Sequence, residues 1–103
     1  QTPPSGVVAY NDAIALGLLA EARKMRLVIP TALSVVSIDD IPEALFAVPP
    51  LTTVSANLLK IGEKAVELVC GFLRGQKYEA RFHKVETTLR KRGSVRDLRV
   101  EKG

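Results

Sequence analysis

Leu33-Ser34-Val35-Val36-Ser37-Ile38-Asp39-Asp40 is the stretch on which the fold turns. Pro30 stops a helix ahead of it, and the run from Leu33 to Asp39 is rich in β-branched side chains, so it reads as a central strand ending in two carboxylates. Upstream, Val7-Val8-Ala9-Tyr10 is a short apolar run preceded by Pro and Gly, which fits a strand buried on both faces. Between the two, from Ala13 to Met25, residues Ala15, Leu18, Leu19, Ala22 and Met25 fall on one helical stripe, while Glu21, Arg23 and Lys24 fall away from it. Asn11 or Asp12 stands where that helix needs a cap, and Lys24 and Arg26 suit the negative end of its dipole. Strand, helix, strand at this spacing is a βαβ unit, which implies parallel pairing.

Downstream, Ile41 to Pro50 holds three prolines and reads as loop or a short helix, followed by a strand at Leu51 to Val54. A second helix is predicted from Leu58 to Leu73, capped by Asn57, with an apolar stripe of Leu58, Ile61, Ala65, Leu68, Val69 and Phe72, and Gly75 at its end. Gly17 and Gly62 lie inside the helices and read as places of close helix packing. From Arg81 to Arg92, Phe82, Val85, Thr87 and Leu89 alternate loosely with charges, so one or two strands are expected, and beyond Ser94 a charged tail, frayed or lying on the surface. Three parallel strands and two helices do not cover both faces of a sheet. The chain is therefore expected to lack part of its own core.

Composition narrows the function. With 103 residues, 47% of them hydrophobic, the chain can bury one modest core. Aromatic residues make up 5% and Trp is absent, which argues against a surface built to stack bases. The net charge of +4 arises largely after residue 80, from Arg81, Lys84, Arg90, Lys91, Arg92, Arg96, Arg99 and Lys102. These read as solvated strand faces and a tail rather than as a nucleic-acid surface. Cys70 is the only cysteine, so no intrachain disulfide and no cysteine-based zinc site forms, as suits a reducing cytoplasm. No apolar run approaches the roughly 20 residues of a membrane span, and the start at Gln1 lacks both Met and the pattern of a signal peptide. A fragment of a cytoplasmic protein is expected.

Two polar pairs follow the predicted strands: Asn11-Asp12 and Asp39-Asp40. Ligands of open α/β sheets bind outside the carboxyl ends of the strands, so both pairs point at the same crevice. Each has a local reading, as a helix cap or an Asx turn. Together they suit hydrogen bonding to a polyhydroxylated ligand, although two carboxylates could also perform acid–base work or hold a hard cation. Nothing else supports catalysis. His83 is isolated among charges, Cys70 lies at a stripe edge, no Ser, His, Asp arrangement exists, and the glycines form no phosphate loop. No enzyme, metal or cofactor is expected.

Five blocks then match one family in order and spacing. Asn11-Asp12-Ala13-Ile14-Ala15-Leu16-Gly17, the strand ending in Asp39-Asp40, Pro49-Pro50-Leu51-Thr52-Thr53-Val54, the helix positions Gly62, Ala65 and Leu68, and Arg92-Gly93-Ser94 resemble the effector-binding core of the lactose/galactose repressor (LacI/GalR) family. One departure is Ser37, where the family usually carries Gly; a β conformation tolerates it. The resemblance implies a periplasmic-binding-protein-like α/β fold, a partial doubly wound parallel sheet from a two-lobe core. Residues 1–55 would belong to the C-terminal lobe, 56–85 to the N-terminal lobe, 86–95 to the return into the C-terminal lobe, and 96–103 to a charged tail. It implies effector contacts at Asn11 and Asp39, with Asp40 a further candidate and Leu58 an apolar contact. Leu16, Phe46 and Ala47 would meet a second copy across a dimer two-fold. The implied function is a transcriptional repressor that senses a small molecule, a sugar or sugar derivative by the family's habit, and reads operator DNA through a helix-turn-helix upstream of Gln1. The alternatives are the sugar-binding component of a bacterial importer, which shares the architecture but not the P-P-L-T-T-V and R-G-S blocks, and a small hydrolase or isomerase using Asp39 and Asp40.

Overall fold

β2 (Ser34–Asp39) is the strand around which the chain is laid out, with β1 (Gly6–Val8) and β3 (Thr52–Ser55) parallel to it on either side. A fourth strand, β4 (Thr88–Arg90), runs antiparallel to β3 and closes the sheet order β1-β2-β3-β4. The computed structural model describes residues 2–99. Helices α1 (Asp12–Lys24), α2 (Pro42–Phe46) and α3 (Leu58–Leu73) complete the chain.

The core lies between the sheet and the first two helices. Ala15 and Leu19 of α1, Ala44 of α2, Val35 of β2, Ala9 and Leu51 form one buried cluster, with Leu16, Leu18, Ile29, Leu33, Ile41 and Ala47 packed around it. Alternation along β2 sends Val35 and Ser37 into this layer and Val36 and Ile38 to the opposite face. That opposite face is open. Val8 is 74% exposed, so β1 is not buried on both faces as its apolar run suggests: it is the sheet edge, and only one of its sides carries a helix.

One buried carboxylate pins three strand connections together. Asp12, fully buried at the first turn of α1, accepts hydrogen bonds at Oδ1 from Ser37 Oγ of β2 and, at 2.6 Å, from Thr53 Oγ1 of β3; Oδ2 accepts from the Ile41 amide at 2.9 Å. Burial pushes its carboxyl pKa up, but the hydroxyl donors of Ser37 and Thr53 and the amides of Ile41 and Asp40 outweigh that and hold it below the ordinary value. Asn11, rather than Asp12, is the cap of α1, with Oδ1 accepting from the Ile14 amide at 2.9 Å.

A second buried hub sits at the start of β2. Ser94 Oγ donates to Val35 O and accepts from the Thr52 amide, and the Val35 amide returns to Ser94 O. The chain beyond it is held as well, since the Arg96 amide donates to Ser34 Oγ and Arg96 Nη1 to Thr31 O. Of the frayed or surface tail expected after Ser94, the residues up to Arg99 take the surface form, held at Arg96 and exposed at Leu98 and Arg99, and residues 100–103 lie outside the described residues. β4 is the one strand formed between Arg81 and Arg92, because β3 offers a free edge only along three residues.

Helix α3 matches its predicted bounds but not its predicted surroundings. Its stripe faces outward, with Leu58 64% and Phe72 73% exposed, and a side chain at Gly17 or Gly62 would meet open space rather than a packed helix. The chain measures 59 × 30 × 26 Å with a radius of gyration of 18.5 Å, against about 13 Å for a compact domain of this length. The core is thus incomplete, as three strands and two helices imply.

Three outcomes follow. Ser37→Ala removes a donor to a buried carboxylate and is expected to cost about 1–2 kcal/mol in chemical unfolding at pH 7. Because Asp12 has a lowered folded pKa, its contribution is complete above the unfolded value of about 4 and is lost as pH falls through the folded one. Asp12→Asn should therefore be less stable at neutral pH and lose that part of the acid dependence. The 103 residues expressed alone should self-associate through α3 in sedimentation experiments, and a sharply two-state monomeric melt would contradict the exposed stripe.

Candidate functional site at the carboxyl ends of the strands

Parallel pairing puts the ends of β1, β2 and β3 on one rim. Asp39 of β2 is in register with Ser55 of β3, which is in register with Thr88 of β4; Asn11 follows β1 on the same side, three residues after Val8. Asn57 and Leu58 leave this rim with the start of α3.

The residues on the rim differ sharply in what their side chains are free to do. Asn11 spends its carbonyl oxygen on the cap, leaving its Nδ2 without a partner among the described residues. Asp39 is half-buried in the unusual backbone conformation φ 137°, and its carboxylate has no hydrogen-bond or ion-pair partner among the described residues. Asp40, at φ 64°, is engaged: Arg92 Nη2 reaches its Oδ1 at 2.8 Å and Arg90 Nε its Oδ2 at 3.6 Å. Arg92 is itself fixed, donating Nη1 to Leu51 O and its amide to Thr52 Oγ1, each at 2.9 Å. Positive φ at two successive non-glycine residues is costly, and the clamp on Asp40 and the bond from the Ile41 amide to Asp12 hold the turn there.

The rim therefore presents an amide donor and an uncompensated carboxylate, with the exposed Leu58 beside them. Such a set can grip vicinal hydroxyls, and its free negative charge disfavours phosphate at the same spot. Among the described residues no cluster of His, Cys, Asp or Glu is arranged to hold a metal ion. His83 is exposed, its ring edge-on to Tyr78 at 6.0 Å, and Cys70 is a half-buried free thiol. Arg90, Arg92, Lys91 and Arg99 are ion-paired within the chain, to Asp40 or Asp97, which fits solvated strand faces.

Leu16 and Ala47 line one shallow groove of about 160 Å³ with Leu19, Ala20, Arg23 and Val48. Phe46 stands beside it, 79% exposed. No helix among the described residues is long and apolar enough to cross a membrane.

Sequence reasoning missed Ser37 and Thr53 as partners of Asp12. The signal was there: hydroxyls at inward positions of two neighbouring strands beside an acidic residue at a strand end. It also assigned Asn57 as a side-chain cap, whereas Asn57 is left-handed, its side chain makes no cap bond to its own helix, and its Nδ2 donates to Glu86 O and towards Thr88 Oγ1 instead.

Comparison with known proteins agrees with this geometry. Residues 1–95 match the family described as periplasmic binding protein-like domain. The chain is 34% identical over 96 residues to the HTH-type transcriptional repressor CytR of Escherichia coli, and 32% identical over 95 residues to the HTH-type transcriptional repressor PurR of Vibrio cholerae. These matches cover 93% and 92% of the chain but 28% of each relative, so the chain spans little more than a quarter of their length. Among solved structures, a LacI-type transcription regulator from Bifidobacterium animalis subsp. lactis superposes with a TM-score of 0.84 at 30% identity, over 90% of this chain and 33% of that one. A LacI family regulator from Lactobacillus casei with bound sucrose superposes with a TM-score of 0.78 at 26% identity, over 89% of this chain and 34% of that one. These relatives are transcription regulators rather than enzymes or importer components, and the chain belongs to the periplasmic binding protein-like family as part of a LacI/GalR-type effector-binding core.

Proposed function

We propose that this chain forms one side of the effector cleft of a cytoplasmic transcriptional repressor, and that the effector is a neutral polyhydroxylated molecule such as a sugar. The observation that carries the reading is the division of labour at the rim: Asp40 is neutralised by Arg92 and Arg90, whereas Asn11 Nδ2 and the Asp39 carboxylate are left to a ligand. A carboxylate accepts two hydroxyl protons at once, and Leu58 supplies an apolar wall for a ring face. Asp40 then acts by holding the turn that aims Asp39 rather than by touching the effector. The sucrose held by the Lactobacillus casei regulator supports the same ligand class.

In this reading residues 1–55 and 86–95 form part of one lobe and 56–85 part of the other, which accounts for a helix α3 whose apolar stripe has nothing in this chain to cover it. The protein binds operator DNA through a helix-turn-helix outside this chain, as the names of its repressor relatives suggest. It needs no cofactor and carries out no reaction. Effector binding changes the lobe arrangement by favouring one of two states, and the DNA-reading heads follow. Two copies meet through Leu16, Phe46 and Ala47, where α2 carries exposed Leu45 and the residues after it exposed Val48 as well.

In the complete regulator, Asp39→Ala should weaken the effector response at least tenfold and Asn11→Ala about twofold to tenfold while operator affinity stays within twofold, since a hydrogen bond to a charged group is worth about 1.5–3 kcal/mol and one between neutral groups about 0.5–1.5 kcal/mol. A thermal-shift screen of neutral mono- and disaccharides against their phosphates identifies the ligand class; preference for a phosphate, or a full response in both variants, contradicts the assignment. Phe46→Glu should convert the dimer to monomers in analytical ultracentrifugation and leave effector affinity unchanged, and an undisturbed dimer would remove Phe46 from the interface.

A further inference from the structure

The residue that launches α3 is spent on something other than the helix. Asn57 has φ 55° and ψ 58°, the left-handed conformation that Asn adopts more readily than other non-glycine residues, and its side chain makes no cap bond. Its side chain crosses instead to a segment far along the sequence. Nδ2 donates to Glu86 O and lies 3.5 Å from Thr88 Oγ1, while Oδ1 lies 3.5 Å from Ser55 Oγ, which also accepts from the Asn57 amide at 3.2 Å.

The position of this link matters more than its strength. Backbone pairing between β3 and β4 ends at Ser55 and Thr88. Beyond that pair, the outgoing chain enters α3 and the returning chain arrives from residues 82–87, which form no strand. Asn57 carries the connection from β3 one step past the end of the ladder, to Glu86. Among the described residues it is therefore the last hydrogen-bonded tie between the two segments that join the sheet to the helix.

We propose that Asn57 is a hinge staple, a positioning residue that sets the angle at which both crossing segments leave the sheet and so the placement of α3 relative to it. The proposal rests on the two-lobe reading given above. Leu58 is the next residue, so the staple also fixes where the apolar wall of the cleft stands relative to Asn11 and Asp39. Release of the Glu86 link frees the two segments to swing separately, and the placement of one lobe against the other then widens from one arrangement to many.

The test uses the complete protein with Asn57→Gly, which keeps the left-handed backbone and removes the side chain, and Asn57→Asp, which keeps the shape and sets a carboxylate against the Glu86 carbonyl. Hydrogen exchange of the amides over residues 86–90 should rise about tenfold in both variants, while exchange in β1 and β2 is unchanged. In a Cys70→Ser background, spin labels at Glu21→Cys on α1 and Val66→Cys on α3 should report a distance distribution clearly broader in both variants than in the protein with Asn57. Unchanged local exchange overturns the staple, as does a distribution of unchanged width; a rise in exchange that extends equally to β1 and β2 also overturns it, because Asn57 would then support the fold as a whole. None of these readings needs a ligand, whereas the two-lobe reading stands or falls on the Asn11→Ala and Asp39→Ala titrations, so either can fail alone.

Discussion

The buried carboxylate of Asp12 is the interaction on which the arrangement of this chain depends. It joins the turn after β1, the interior of β2, the interior of β3 and the entry to α2 through side chains of Ser37 and Thr53 and the Ile41 amide. An ionised carboxylate without water is tolerable only when its lone pairs are filled, and here the donors more than offset the cost of burial. The consequence reaches the rim. Asn11 precedes Asp12 and Asp39-Asp40 precede Ile41, so the same carboxylate holds the two turns that present Asn11 and Asp39 on the rim.

Two neighbouring acids, Asp39 and Asp40, illustrate how a sheet edge assigns roles. Their sequence context is nearly the same, but β4 delivers Arg90 and Arg92 to one of them only. The paired acid stabilises a turn with positive φ at both residues, and the other has no hydrogen-bond or ion-pair partner among the described residues. Ser37 shows the same economy in the other direction. A hydroxyl that looks like a harmless replacement for glycine is a fully buried donor to Asp12.

The exposed stripe of α3 and the open face of the sheet mark where the rest of a larger core would lie. A part of a larger structure leaves apolar surface unburied, because the layers that cover it come from elsewhere. The elongated shape follows from the same cause. At the junction, the side chain of Asn57 links the start of α3 to the segment that returns to β4.

Much of the fold was legible along the chain, because hydrophobic period, prolines and caps are local signals. The strand from Leu33 to Asp39, helix α1, helix α3 and the polar pairs on one rim all follow from them. The five ordered blocks identified the family. The sequence by itself therefore determined the element order, the incomplete core and the rim that carries Asn11 and Asp39. It did not determine which acid is buried, which is paired and which is free, nor that Asn57 serves a distant strand rather than its own helix. Those outcomes depend on partners 25 to 52 positions away in the chain, brought within hydrogen-bond distance only by the pairing of β2, β3 and β4. Only the tertiary structure decided them, because charge and hydrogen bonding act over a few ångströms of space and take no account of separation along the sequence.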